Sequence, residues 1–531
     1  MTTLLNRTFC PLVICPLVIC LLAVCVAALS PAAAQEVLLE APAAPATQPA
    51  EPALDPEVVA RIDALLDDPK YADAFWGVRI ETPAGHVLYD RLGDKNFVPA
   101  SNMKLLTTAA ALDLLGPEYT YSTRLFLIGG VGEDGTLEGD VLIVGSGDPS
   151  LGAWHPDESQ NSAQVLEAWT AALKEKGVER IAGHIIGDGR FFTEEYLHDD
   201  WEHWDLPYWY AAGSSGLAME ENAFRIHITP GEKVGDAAEY KITPDTRYVT
   251  ILNKVKTAEA GGKNNADAVA RDPGNVFHYE RTVALDGEVK ERGSILDGER
   301  YAAFLFKEAL ERAGVAVAGE AVNIRALDPE TVAAIDEGEK FFVTATESPP
   351  LSELVKVVNV PSHNFFADQI LRTLGAVQGE KGSFSEGAKV VEDWLGQIGA
   401  ESPKSLNMRD GSGLSRKNYV QPRHFTAALR HMVTKGQGGW EFFHSLPVGG
   451  ESGTLSNRFG GDEAVGSLVR AKTGYIGYMR GLSGYAESLD GKLYVFSLIC
   501  NRYSVPTKEV NATQDAICTL LVRGAEGEAA D

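Results

Sequence analysis

This sequence predicts a mixed α/β fold, an antiparallel sheet flanked by helices and interrupted by a mostly β insertion. Three observations lead there. Apolar residues recur at helical spacing in residues 56–118 and again in 348–523. Between 119 and 347, β-like segments alternate with turn residues. The last part of the chain reads as strands followed by a helix, which suits a sheet covered by helices. At 531 residues the chain is also longer than one core fills. The expected organisation is therefore one α/β domain in two pieces, 56–118 and 348–523, around an inserted region at 119–347.

From the N-terminus, residues 1–34 carry a single charge, Arg7, then a long apolar run and a small-residue "AAA". That is the layout of a secretory signal cleaved near Ala34, with an uncleaved membrane anchor as the rival reading. Residues 35–55 are Ala/Pro-rich and read as a linker. "PEVVARIDALLDD" predicts a short helix with Pro56 in its first turn, and "WGVRIETPAGHVLYDR" a hairpin. "PASNMKLLTTAAALDLLG" predicts a helix ending at Gly116. The inserted region shows one clear helix, "DGERYAAFLFKEALERAG". Beyond it come helical stretches from residue 351 to 434, then two strands, "VRAKTGYIGYMRGLSGYAE" and "KLYVFSLICN". A last helix ("TKEVNATQDAICTLLVRGA") and an acidic tail at 524–531 end the chain.

Composition narrows the function. A net charge of −27 and a pI near 4.9 argue against non-specific nucleic-acid binding. Four of the six cysteines lie in the first 25 residues, leaving Cys500 and Cys518. An export signal permits a disulfide between these two, and a reduced buried pair is equally compatible. No HExxH, GxSxG elbow, P-loop or GxGxxG ahead of a helix occurs. The spacing in "HDDWEHWD" matches no standard metal site, and "GSGDPSLG" reads as a turn, so no metal or cofactor is expected.

Three short elements remain: "SNMK" at 101–104, "SHN" at 362–364 and "KTG" at 472–474. On a helix, i and i+3 share a face, so Ser101 and Lys104 can touch. A desolvated lysine loses its proton near neutral pH and can activate a hydroxyl without histidine. Taken singly, each element has an ordinary reading: a capping serine with a solvated lysine, a helix cap at "SHN", and a bulge or a close backbone approach at Gly474.

Together, in this order and at these long spacings, they resemble the active-site set of penicillin-recognising serine acyl enzymes. Within these, the chain is similar to the D-alanyl-D-alanine carboxypeptidase/endopeptidase group with an inserted region, the class C low-molecular-mass penicillin-binding proteins. "PASNMKLLTTAAALDLLGP", "LEGDVLIVGSGDPSLG", "PSHNFFADQILRTLG", "RDGSGLSRKN", "ESGTLSNRF" and "VRAKTGYIGYMRGLSGYA" carry the resemblance, which spans residues 56–523. It implies a serine β-lactamase/DD-peptidase-like domain and a DD-peptidase of peptidoglycan, with stem peptides as substrates and β-lactams as covalent inhibitors. Ser101 would be the nucleophile and Lys104 its base. Ser362 and Lys472 would relay a proton to the leaving amine, and Asn364 would orient the substrate. Thr473 and Lys472 would bind the terminal carboxylate, Gly474 would let the substrate approach, and the backbone N–H groups of Ser101 and Tyr475 would form the oxyanion hole. Asp205, Tyr210 and Arg416 are the candidates for meeting a diamino-acid side chain. Tyr475 stands where small hydroxyl residues are usual in the family, and His363, the middle of "SHN", reads as a surface or packing residue. The same scaffold also serves β-lactamases, esterases and non-catalytic wall-binding homologues.

Overall fold

The computed structural model describes residues 52–153 and 161–526. The expected signal, nearly all of the linker and most of the acidic tail lie outside them. The chain opens with helix α1 (Pro56–Leu66), started by the Asp55 carboxylate, which accepts from the Glu57 N–H, and by Pro56 in the first turn. Strands β1 (Phe75–Glu81) and β2 (Val87–Arg91) form the expected hairpin, with Gly85 at φ 93° in its turn. Helix α2 (Met103–Leu115) stops at Gly116, φ 86°, whose N–H returns to the Leu112 carbonyl. Helices α3 (Leu351–Asn359), α4 (Asn364–Val377), α5 (Phe384–Gln397) and α6 (Pro422–Thr434) follow the insertion.

The closing segment departs from expectation. "VRAKTGYIGYMRGLSGYAE" is a hairpin of β3 (Val469–Ile476) and β4 (Met479–Glu487), so three strands, not two, precede the last helix. Its turn puts Tyr478 at φ 65°. The turn is Gly477-Tyr478, and the tyrosine rather than the glycine takes the left-handed position that Gly, Asn or Asp normally fills, so a lone glycine is its only punctuation. With β5 (Leu493–Asn501) these strands build a five-stranded antiparallel sheet in the order β3-β4-β5-β1-β2.

The sheet is buried on both faces. Along β5, Phe496, Leu498 and Cys500 pack with α1 and α7 (Thr507–Arg523), while Val495 and Ile499 join the helical core of α2 to α6. Cys500 and Cys518 are both free, buried thiols in the first of these cores, and burial pushes the Cys500 thiol up to about 12.

All strands of the other sheets lie between Ser122 and Glu347. They surround two further cores with the helix Gly298–Arg312, which was expected, and two helices that were not, Ser162–Glu175 against the larger core and Pro329–Glu337 against the smaller. The first carries a full capping box, Asn161 with Gln164, and the second an Asp328 cap followed by Pro329. The cap signals were present, but their helical periods were lost among the surrounding β texture. The inserted region is tied to α4 through the fully buried Arg372. Its guanidinium donates to the carbonyls of Thr193, Glu195, Ser214 and Gly382, so the charge is solvated by backbone instead of water. Among the described residues no helix is long and apolar enough to cross a membrane.

Candidate active site

Ser101 lies in a single 3-10 turn, Ala100–Asn102, that runs directly into α2. Ala100 takes a left-handed φ of 49°, which turns the chain sharply just before the serine. No side chain caps this helix start. The Ser101 hydroxyl instead meets Lys104, whose Nζ lies 3.1 Å from Oγ. Helix α2 is buried on every side from Met103 to Leu112, so Lys104 is 0 % exposed.

The surroundings of that amine decide its chemistry. Nζ also donates to Asn364 Oδ1 at 2.7 Å and to the Ser412 carbonyl at 2.5 Å, both of which can only accept. A neutral amine has two N–H groups and one lone pair. Two fixed acceptors use the N–H groups and leave the lone pair facing the Ser101 hydroxyl. Burial pushes the Lys104 pKa down to about 8, against the opposing pull of the Asp368 and Asp410 carboxylates. Asp368 is itself pushed well up by burial and by Asp410.

The second element comes from the turn before α4. Ser362 is left-handed, φ 67°, and neither it nor Asn364 caps the helix. Ser362 Oγ accepts from Lys472 Nζ at 2.7 Å, and Asn364 Nδ2 donates to the Tyr210 carbonyl at 2.8 Å. Lys472 is also 0 % exposed, and its pKa falls well below the usual lysine value through burial, then through the charges of Lys104 and Arg480. No carboxylate among the described residues pairs with Lys472. Thr473 Oγ1 shares a hydrogen bond with Thr454 Oγ1 at 2.7 Å.

Gly474 sits in an unbroken β3–β4 ladder, so it makes no bulge. A Cβ there would lie 2.4 Å from the Pro99 carbonyl, so what the glycine admits is the chain's own turn before Ser101. Asn102 fastens the same turn by donating to the Lys472 carbonyl at 2.7 Å. Tyr475 is 55 % exposed, with its ring over the guanidinium of its cross-strand partner Arg480 at 5.3 Å.

Asp205 and Tyr210 do come together: the Tyr210 hydroxyl donates to Asp205 Oδ1 at 3.0 Å, and Tyr210 reaches the centre through its carbonyl on Asn364. Burial raises the Asp205 pKa, the Tyr210 hydrogen bond opposes that, and Glu202 adds to the rise. Arg416 is close enough to act on Asp205 electrostatically, but its ion pair is with Glu202, at 2.8 Å. His363 is buried, packs against Trp209 and Phe366, and binds Glu221 at 3.0 Å.

Sequence reasoning missed the Ser412 carbonyl, Asp368 and Thr454. Asp368 Oδ1 accepts from the N–H groups of Gly411 and Ser412 and so holds the turn whose carbonyl orients Lys104. The stretch "RDGSGLSRKN" was the available signal, but a backbone acceptor leaves no residue-type signature.

Among the described residues, no three His, Cys, Asp or Glu side chains gather as a metal site would require. A model of the D-Ala-D-Ala carboxypeptidase 3 (S13) family matches residues 58–523. A D-alanyl-D-alanine carboxypeptidase of Actinomadura sp. (strain R39) is 32 % identical, over 92 % of this chain and 88 % of its own length. The D-alanyl-D-alanine carboxypeptidase DacB of Haemophilus influenzae is 24 % identical, over 79 % of this chain and 83 % of its own. The crystal structure of penicillin binding protein 4 from Haemophilus influenzae superposes with a TM-score of 0.74 at 21 % identity, covering 87 % of this chain and 99 % of that one.

Proposed function

The chain belongs to the D-Ala-D-Ala carboxypeptidase 3 (S13) family, and from that premise we propose how its residues divide the work of a serine DD-peptidase of peptidoglycan. Ser101 gives its proton to Lys104, and Oγ attacks the carbonyl carbon of the penultimate D-alanine. The backbone N–H groups of Ser101 and Tyr475 receive the developing oxyanion. The C–N bond then breaks, and Ser362 and Lys472 pass a proton to the departing D-alanine amine. Water hydrolyses the ester on Ser101 and restores the hydroxyl. Asn364 holds Lys104 and the substrate amide, while Lys472 and Thr473 take the terminal carboxylate. Among the described residues no carboxylate pairs with Lys472, so the substrate's own carboxylate is its apt partner. Asp205 and Tyr210 receive the amino end of the diamino acid, with Arg416 beside them. The same chemistry serves the D-Ala–diamino acid cross-link as an endopeptidase substrate. Residues 56–118 and 348–523 form the peptidase domain around the 119–347 insertion, and residues 1–34 export the protein.

The observation that carries this reading is the arrangement around Lys104: two fixed acceptors, full burial and a serine hydroxyl 3.1 Å away. Fluorescent penicillin is expected to label the protein in a long-lived adduct, and D-alanine to be released from a stem peptide ending in D-Ala-D-Ala. Ser101→Ala should abolish both. Lys104→Met should slow acylation by about 10³-fold or more while leaving the fold intact. A folded protein that takes no label would overturn the reading, and rapid release of hydrolysed penicillin would make it a β-lactamase.

A further inference from the structure

A cavity of about 430 Å³ opens beside the Asp205 segment, lined by His203, Trp204, Tyr208, Asp267, Arg271 and Arg281 among others. Its wall is continuous with the candidate active site. Tyr208 stacks on Tyr210 with ring centroids 5.4 Å apart and planes 6° apart, and Tyr210 in turn holds Asp205. One pair of rings therefore has the diamino-acid residues on one side and the cavity on the other.

The chemistry of the wall is specific. Trp204 is 57 % exposed, unusual for the largest apolar side chain, with the His203 ring packed on it at 4.9 Å. Arg271 is held in place by one nitrogen, Nη1, which donates to the Ser294 carbonyl at 2.9 Å and to Ser294 Oγ. No carboxylate among the described residues pairs with Arg271, and its other N–H groups have no protein acceptor there. Burial accordingly pulls its guanidinium down to about 10. The cavity's own acid is already engaged: Asp267 accepts from the Tyr208 hydroxyl at 2.9 and 3.0 Å and lies 3.5 Å from Arg281. A chain of net charge −27 thus keeps a half-buried arginine, with no carboxylate partner among the described residues, beside a largely exposed indole.

We propose that this cavity is a second substrate subsite. It takes a free carboxylate of the stem peptide on Arg271 and packs an adjoining apolar or sugar face on Trp204. The proposal rests on the DD-peptidase reading above and adds to it a second point of recognition away from the scissile bond. A guanidinium with open N–H groups is suited to a planar carboxylate, and the ring to a flat apolar surface. The carboxylate can belong to the acidic residue of the stem or to the diamino acid itself, and amidating one at a time separates the two.

The test compares D-alanine release from three stem peptides: both carboxylates free, the acidic residue amidated, and the diamino acid amidated. The wild type should favour the free form over one of the amidated forms by about tenfold in kcat/KM, through KM. Arg271→Gln should lose that preference and treat the two peptides alike. Trp204→Ala, at a separate point of the wall, should weaken the fully free peptide through KM in the same way, and Trp204 fluorescence should change when that peptide binds. An equal fall on all three peptides, or no selective change in either variant, overturns the subsite. Penicillin acylation of Ser101 measured on the same proteins reports on the peptidase reading separately. A wild type that acylates without this selectivity loses only the subsite, and one that fails to acylate loses both.

Discussion

Lys104 is suited to act as a base because of what it cannot do. Sealed from water and given only acceptors by Asn364 and Ser412, it can keep a third hydrogen only by pointing it at a serine hydroxyl that can itself donate. Its lowered pKa places the titration inside the working range: acylation by penicillin should rise with pH and level off above about 8. Asp368 holds that value up, because a nearby carboxylate favours the ammonium. Asp368→Asn keeps an Oδ1 acceptor for the Gly411 and Ser412 N–H groups but removes the charge. The acid limb of the acylation profile should therefore move to lower pH, and a move to higher pH would contradict the assignment. Spacing made Ser101 and Lys104 legible as a pair, and Ser362, Asn364 and Lys472 legible by motif. The groups that tune them, a carbonyl and a carboxylate reached across the fold, have no spacing to read.

Among the elements, the turn before α4 depends on a neighbour from the insertion. Glu220, Glu221 and Asn222 are three consecutive non-glycine residues in the left-handed region, at φ 53°, 59° and 49°. That run, costly for each residue, delivers the buried Glu221 carboxylate to His363 at 3.0 Å and to Arg292, whose guanidinium covers Trp209 at 4.7 Å. His363 and Arg292 hold the Glu221 carboxyl down at about 2 against the burial that would raise it. Removing the carboxylate leaves the buried His363 and the part-buried Arg292 without their shared partner, so Glu221→Ala should cost about 2 kcal/mol or more in urea unfolding. The strand–helix pattern of the sequence identified the elements that bear the three short motifs. It could not reveal that "EEN" braces "SHN", since nothing local links residues so far apart, nor that a tyrosine occupies the turn between β3 and β4.

At the scale of the molecule, one buried cluster lies on each face of the five-stranded sheet, while a large one and a small one of Leu142, Ile186, Ile324 and Ile335 fill the inserted region. The cysteine question that the sequence left open closes here, because Cys500 on β5 and Cys518 on α7 are separate thiols inside one of these clusters. In a preparation starting at residue 36, neither should react with a thiol reagent while folded, both should react in denaturant, and reductant should leave the melting temperature unchanged. The two-piece layout of the α/β part was legible because helical periods bracket a long β texture. The extra helices and the third closing strand were not: the helices have caps but their periods are hidden in β texture, and the strand's turn offers only Gly477 beside a tyrosine. The sheet order has one more consequence. Strand β1 lies between β2 and β5, with Trp76 opposite Cys500, so the layer formed from the first hundred residues waits on nearly the last fifty. During synthesis the serine and its lysine leave the ribosome early, while the strand that carries Lys472 follows only after the whole insertion. A wall-cutting enzyme built this way stays inert until its chain is almost finished, and a truncated product has no cutting edge.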